Sequence, residues 1–162
     1  MTERIRKQGS AERVRAFLEE RGLADGMIEF EQSTKTAAMA AEAAGCELGQ
    51  IVKSLVVVTD AGEAVLALVA GDRRGDLEAI AARVGADSAK MADADTVRAA
   101  TGYAIGGVSP FDLPKELTVL IDDSLSRFET VFPAAGTPSS MVRLALSDLL
   151  GVCAGTVARI SH

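Results

Sequence analysis

The chain has 162 residues, 48% of them hydrophobic and 25% charged, with a formal net charge of −6. At about 150 residues per domain this length gives one domain, 1–162, and the apolar share rules out a disordered or collagen-like chain. The acidic balance argues against non-specific coating of nucleic acid. The single histidine, His162, leaves no Ser-His-Asp or Cys-His catalysis and no His-rich metal site.

The first stretch, 1–9, is charged and lacks an apolar core, so a flexible start and no signal peptide are expected. Arg4, Arg6 and Lys7 read as a frayed terminus or as an RNA-facing tail. Ser10 is placed to cap a helix over about 11–21, with Val14, Phe17 and Leu18 at helical spacing and Gly22 just beyond its end. Met27 to Phe30 reads as a short strand. Ser33 or Thr34 then starts an alanine-rich helix, about 36–44, stopped by Gly45. Ile51 to Val58 is a β-branched run, Asp60 to Glu63 a turn and Val65 to Ala70 the return strand, together the clearest hairpin in the chain.

Gly71 to Gly75 is a loop, and Asp76 caps a helix through Val84. Lys90-Met91 suits a short strand, and Asp93 or Asp95 opens a helix that ends near Thr101-Gly102. Leu117 to Ile121 reads as a strand ended by Asp122-Asp123-Ser124. Thr130 to Phe132 and Met141 to Leu146 read as two more. Ser147 caps a last helix, about 148–153, before a final strand over Thr156 to Ile160. The strands and helices interleave without a strict βαβ period, and several connections are too short for parallel crossovers. The expected fold is therefore α/β in the α+β sense, a single domain with a mixed, largely antiparallel sheet flanked by helices. Cys46 and Cys153 are expected as two buried thiols of a reducing cytosol. No apolar run approaches the roughly 20 residues needed to span a bilayer, so a cytoplasmic protein away from membranes is expected.

Two features carry chemistry. The first is Lys53, inside the strand Ile51-Val52-Lys53-Ser54-Leu55-Val56-Val57-Val58, on the same face as Ile51, Leu55 and Val57. A lysine there snorkels to solvent, pairs with a carboxylate, or lines a pocket that takes an anion or a carbonyl oxygen. The second is Gly106-Gly107-Val108-Ser109-Pro110. Its glycines permit positive φ and close approach of backbone N–H groups to a ligand, and Pro110 holds Ser109 extended. Taken alone, the loop is also an ordinary turn, and it lacks the spacing of a P-loop or a dinucleotide fingerprint.

Together these residues resemble the YbaK/EbsC family, free-standing relatives of the editing domain of bacterial prolyl-tRNA synthetase. The resemblance runs through Gly45 and Ile51-Val52-Lys53-Ser54-Leu55, then Lys90-Met91-Ala92. It continues through Thr101-Gly102-Tyr103-Ala104-Ile105-Gly106-Gly107-Val108-Ser109-Pro110-Phe111, Leu120-Ile121-Asp122 and the Ala135-Gly136 turn. It covers about residues 30 to 160. It implies a closed, barrel-like mixed sheet and hydrolysis of the ester of a mischarged aminoacyl-tRNA, here a tRNA(Pro) carrying a small wrong amino acid such as Ala or Cys.

The family's essential lysine maps onto Lys53 and its GxxxP loop onto Gly106 to Pro110. Lys53, Gly106 and Gly107 are the expected catalytic groups, with Ser109, Pro110, Tyr103 and Thr34 expected to bind substrate. Lys53 is expected to neutralise a terminal phosphate or polarise the carbonyl, and the Gly106 and Gly107 N–H groups to bind the carbonyl oxygen or orient the aminoacyl group. With no histidine available, the terminal ribose hydroxyl or the substrate's own side chain is the expected proton acceptor. No metal or organic cofactor is expected.

The expected partners are the 3′ end of aminoacyl-tRNA and a synthetase, with the protein itself a monomer or weak homodimer. Arg73, Arg74, Lys90 and Arg98 are candidate RNA contacts or plain surface charges. Cysteinyl-specific members carry a basic G-K-R-G-L-D stretch where this chain has Gly136-Thr137-Pro138-Ser139-Ser140-Met141, which puts cysteine specificity in doubt. Two other readings stay open on the residues alone. One is a non-catalytic module binding an RNA end, a nucleotide or a synthetase. The other is a Schiff-base enzyme using Lys53.

Overall fold

A computed structural model describes residues 9–34 and 36–162; the charged segment 1–8, with Arg4, Arg6 and Lys7, and Lys35 lie outside the described residues. Helix α1 spans Ser10–Glu19 and buries Val14 and Leu18. Ser10 is its first residue rather than its cap: Gly9 holds the cap position and no side chain closes that end. Gly22 beyond it has φ +71, the left-handed geometry that glycine adopts without strain. A 3-10 turn, Ala24–Gly26, leads into β1, Met27–Glu29. Helix α2, Ala37–Ala44, ends at Gly45 as expected. Its cap is Thr36, whose Oγ1 accepts from Met39 N–H at 3.1 Å, not Ser33 or Thr34.

The hairpin forms with β2 at Ile51–Thr59 and β3 at Ala64–Ala70, antiparallel, Lys53 opposite Val69 and Ser54 opposite Leu68. Its turn is fastened by short-range polar contacts: Thr59 Oγ1 accepts from Glu63 N–H at 3.1 Å, and Gly62 has φ +84. Asp76 caps helix α3, Leu77–Arg83, accepting from the N–H groups of Glu78 and Ala79 at 3.1 Å each. Strand β4, Ala89–Met91, and helix α4, Ala94–Thr101, follow, the latter capped by Asp93 and closed by Gly102 at φ +80. Then come β5, Thr118–Asp122; a 3-10 turn, Asp123–Arg127; β6, Thr130–Pro133; β7, Ser140–Val142; β8, Leu144–Ala145; helix α5, Leu146–Val152; and β9, Thr156–Ala158. Helix α5 starts at Leu146 with no side-chain cap, so Ser147 lies inside it, and the single strand expected over 141–146 is two short ones.

The main sheet runs β8-β6-β2-β3-β5-β9, with β4 also on β2; β1 and β7 form a separate pair. β2–β3, β2–β4, β6–β8 and β1–β7 are antiparallel, but β2–β6, β3–β5 and β5–β9 are parallel. The fold is thus the expected single mixed α/β domain, with more parallel pairing than the short connections suggest. The parallel ladders join strands far apart in sequence, such as β3 and β5, between which α3, β4 and α4 fit. The path ends at β8 and β9, so the sheet is a curled half-barrel and not a closed one among the described residues.

Strand β3 is the centre of the core, with Val65 to Ala70 all fully buried. On one face Leu66, Leu68 and Ala70 pack with Val14, Leu18, Tyr103, Phe111 and Leu149. On the other, Val65, Ala67 and Val69 pack with Ile80, Leu120 and Ile160. Each buried aliphatic side chain contributes about 1.5–3 kcal/mol of transfer free energy. The two packed faces hold β2, the partner of β3, in fixed position, and β2 carries the site.

Candidate active site

β3 covers one edge of β2 along its whole length, but two separate strands share the other. β6 pairs only with Ile51 and Val52, and β4 only with Val57 to Thr59. Ala92 N–H then reaches Val56 O at 3.0 Å. Between these contacts, at Lys53 to Leu55, no strand lies against that edge among the described residues. Backbone groups alternate between edges along a strand, so the bond at Val56 O marks the backbone N–H and C=O groups of Val52, Ser54 and Val56 as facing the interrupted side. The gap opens into a cavity of about 270 Å³ lined by Ile51 to Leu55.

Five further segments complete the walls. Ala37 and Ala40 of α2 bring small side chains, which is why this helix stands close without filling the space. Thr34 and Thr36 come from the segment before it, Phe132 and Ala134 from β6 and its end, and Thr137 and Pro138, with Ser140 and Met141, from the turn before β7 and from β7 itself. Gly106 and Val108 close the cavity from the glycine loop. Thr34 is anchored there by two donations to Pro138 O, from its N–H and its Oγ1, each 2.8 Å.

Lys53 sits half-buried at this wall, and its Nζ donates to the carbonyl oxygen of Arg73. Burial holds its pKa below the usual lysine range; the Arg74 charge pushes the same way and Asp72 pulls it back. Asp72 is itself engaged by Arg127, at 2.7 and 2.9 Å, so its carboxylate is held below the usual range mainly by that guanidinium. Lys53 forms no ion pair within 4.0 Å among the described residues.

The glycine loop is held by backbone contact. Gly106 has φ +93 and is exposed toward the cavity. Its N–H has no acceptor among the described residues. Gly107 is buried: a Cβ there would lie 2.7 Å from Gly136 O, and one on Gly136 would lie 2.7 Å from Ser10 O. The glycine loop, the 136–137 turn and the start of α1 thus stack main chain on main chain, an approach that only glycine permits.

Of the residues singled out from sequence, Lys53, Gly106 and Thr34 meet at the cavity. Gly107, Ser109, Pro110 and Tyr103 do not line it. Gly107 N–H already donates to Ala104 O at 3.0 Å, so it is no free oxyanion donor in this geometry. Ser109 is fully buried, and its Oγ accepts from Phe111 N–H at 3.3 Å, fixing the loop's exit. Tyr103 is also fully buried, and its hydroxyl donates to Phe111 O at 2.5 Å. Burial pushes its pKa up to about 12. Arg13 stacks over the Tyr103 ring at 4.5 Å and pairs with Asp112 at 2.7 Å. Tyr103 therefore braces the loop against α1 and offers no face to a nucleic-acid base.

Thr36, Ser54, Phe132, Thr137, Ser140 and Met141 line the cavity without having been singled out as site residues. The departure at 136–141 was visible in sequence, but not that it forms a wall. Cys46 is half-buried rather than buried, Cys153 is buried, and both are free. Among the described residues no three His, Cys, Asp or Glu side chains converge as a metal site would require, and no helix is long and apolar enough to cross a membrane.

A half-barrel sheet interrupted at a lysine and closed by a glycine loop defines an editing-type domain. The chain belongs to the aminoacyl-tRNA editing domain family, whose sequence model matches residues 31–152. It is 38% identical over 123 residues to the uncharacterized protein YwhH of Bacillus subtilis, covering 76% of this chain and 78% of that one. It is 30% identical over 156 residues to the multifunctional Ser/Thr-tRNA deacylase ProXp-y of Escherichia coli, covering 94% and 93%. A crystal structure of a candidate trans-editing enzyme for prolyl-tRNA synthetase superposes with a TM-score of 0.86 at 40% identity, over 96% of this chain and 98% of that one.

Proposed function

We propose that this protein is a trans-acting aminoacyl-tRNA deacylase that removes a small wrong amino acid from a tRNA, tRNA(Pro) foremost. The observation that carries the reading is the meeting of Lys53 and Gly106 across a small cavity, in a chain of the editing family. An aminoacyl ester is already activated, so catalysis needs a positioned water and stabilisation of the charge growing on the carbonyl oxygen. The exposed Gly106 N–H is the donor suited to that oxygen. Lys53 supplies positive charge at the rim, for a terminal phosphate or the carbonyl, while Thr34 and the 137–141 turn bound the aminoacyl group. The terminal ribose hydroxyl, or the substrate's own side chain, takes the proton, since the one histidine, His162, does not line the cavity. The synthetase that charges the tRNA is the natural protein partner.

The test is deacylation of Ala-, Cys- and Ser-tRNA(Pro), with the Lys53→Ala protein alongside. Turnover of at least one ester, reduced about 100-fold or more in the variant, supports the assignment. Absence of turnover on every ester, with RNA binding retained, would replace it with a non-catalytic RNA-end module.

A further inference from the structure

Main-chain groups of β2 alternate between its two edges. Gly71 N–H donates to Ile51 O at 2.7 Å, and Thr59 N–H donates to Glu63 O at 2.9 Å. Ile51, Lys53, Leu55, Val57 and Thr59 therefore bond toward β3, where Lys53 and Leu55 stand opposite Val69 and Ala67. The residues between them bond toward the other edge. Val52 pairs with Pro133 of β6, and Val56 O accepts from Ala92 N–H at 3.0 Å. Ser54 lies between these two. Among the described residues neither its N–H nor its C=O has a hydrogen-bond partner. The interruption of the sheet is thus one bonding residue wide.

The edge at Ser54 opens on the cavity. Ser54 lines it and keeps part of its surface accessible, while Val52 and Val56 on either side are buried. Its Oγ is enclosed and adds nothing to that surface. The side chain alternates onto the core face shared by Val52 and Val56. The strand edge, not the hydroxyl, is what Ser54 presents to the cavity. Main-chain N–H and C=O groups away from bulk water are nearly always paired, and an unpaired strand edge is a template for an added segment.

A gap one residue wide fits a single amino-acid unit. In an antiparallel ladder two opposed residues exchange both N–H···O bonds, with Cα atoms about 5.5 Å apart. An aminoacyl ester carries the same two groups on either side of its Cα, an α-ammonium that donates and a carbonyl that accepts. We propose that the main chain of Ser54 anchors the aminoacyl group as a one-residue antiparallel strand. The Ser54 C=O accepts from the α-ammonium, and the Ser54 N–H donates to the ester carbonyl oxygen. The inference rests on the deacylase reading and deepens it. The bond to the ammonium is charge-assisted and so stronger than a neutral one. The Ser54 N–H joins that of Gly106 as a second donor to the carbonyl oxygen, held in place by the strand. Such pairing reads the unit that all amino acids share. It selects an α-amino acyl ester over other esters and leaves the choice of side chain to the cavity walls.

Two arms test the anchor. In the first, the wild-type protein receives whichever of Ala-, Cys- and Ser-tRNA(Pro) it hydrolyses fastest, and the same tRNA carrying the α-hydroxy counterpart, lactyl in place of alanyl. With each rate divided by the spontaneous rate of that ester, kcat/KM is expected to be about tenfold or more lower for the α-hydroxy ester. A difference below about threefold overturns the anchoring role and leaves the deacylase reading standing. In the second arm, Ser54 is replaced by its α-hydroxy counterpart, which keeps the side chain and turns the Lys53–Ser54 amide into an ester without the N–H. The same exchange at Val57, which bonds toward β3, controls for the loss of one amide, and thermal unfolding is followed for both. Expected is a fall in kcat/KM of about tenfold or more at Ser54 and of less than about threefold at Val57, with the larger loss of melting temperature at Val57. A fall at Ser54 no larger than that at Val57 overturns the proposal. Wild-type protein that hydrolyses none of the aminoacyl esters overturns it together with the deacylase reading.

Discussion

Lys53 Nζ donates to the carbonyl oxygen of Arg73, tying the lysine of β2 to the loop that follows β3. The contact holds the ammonium at the cavity wall, where burial first and the Arg74 charge second lower its pKa. A half-buried cation with no carboxylate in contact is free to attract a substrate anion or oxygen.

Replacing Lys53 by Met keeps the aliphatic stem and removes the charge. Deacylation is expected to fall about 100-fold or more. Unfolding stability is expected to stay within about 1 kcal/mol, because the lost bond is partly solvated. Single-turnover kinetics and a thermal melt on one preparation check both; a large stability loss would assign Lys53 a structural role instead.

The pH profile carries a sign. If protonated Lys53 is the active form, activity falls as pH rises through its pKa, which burial first and Arg74 second hold below the ordinary range. Arg74→Ala removes a like charge, so the Lys53 pKa rises. The alkaline limb is expected to move to higher pH, after subtraction of spontaneous ester hydrolysis. A limb that stays in place would show that another group controls it.

Gly106 and Gly107 are expected to respond differently to alanine. At Gly107 the added Cβ meets backbone at 2.7 and 2.8 Å, so the glycine loop and the 136–137 turn must separate. A cost of about 1–3 kcal/mol is expected, with loss of activity. At Gly106 the nearest atom is Pro138 Cγ at 3.4 Å, and the burden is φ +93. A cost of about 1–2 kcal/mol is expected there. Chemical denaturation of the two variants measures the difference.

Asp122 is expected to contribute to acid stability. It is fully buried. Its Oδ2 accepts from the Ser124 and Ser161 hydroxyls and its Oδ1 from Ile160 N–H at 2.9 Å. Burial alone would raise its pKa, but those donors hold it below the usual carboxylate value. A depressed folded pKa means stabilisation present above the unfolded value of about 3.9 and lost as pH falls through the folded one. The melting temperature is therefore expected to drop below about pH 4. Asp122→Asn is expected to cost about 1–3 kcal/mol at neutral pH and to flatten that acid drop. An unchanged acid profile in the variant would assign the drop to other carboxylates.

What was legible in the sequence was local. The β2–β3 hairpin, the Asp76 and Asp93 caps and the glycine stops at Gly45 and Gly102 rest on contacts between residues a few positions apart, and they formed where the pattern placed them. The cap of α2 moved from Ser33 or Thr34 to Thr36 because Thr34 is engaged by Pro138, 104 positions away. Tyr103 and Ser109 were recognisable as part of a motif, but not as its internal bracing. That role depends on Arg13 and on the carbonyl and amide of Phe111, and on the packing that buries them.

Lys53, in a strand too apolar for a lysine, and the Gly106 to Pro110 loop carried the resemblance to the family in the sequence; of these residues Lys53, Gly106 and Val108 line the cavity. The cavity itself was decided only by the tertiary structure. It exists because β6 stops at Val52 and β4 starts at Val57 on one edge of β2, leaving Ser54 between them. No local pattern encodes where two strands, separated in sequence by a whole helical segment, end against a third. The stacking of the core on both faces of β3 sets that register, and with it which main-chain groups are left without a partner.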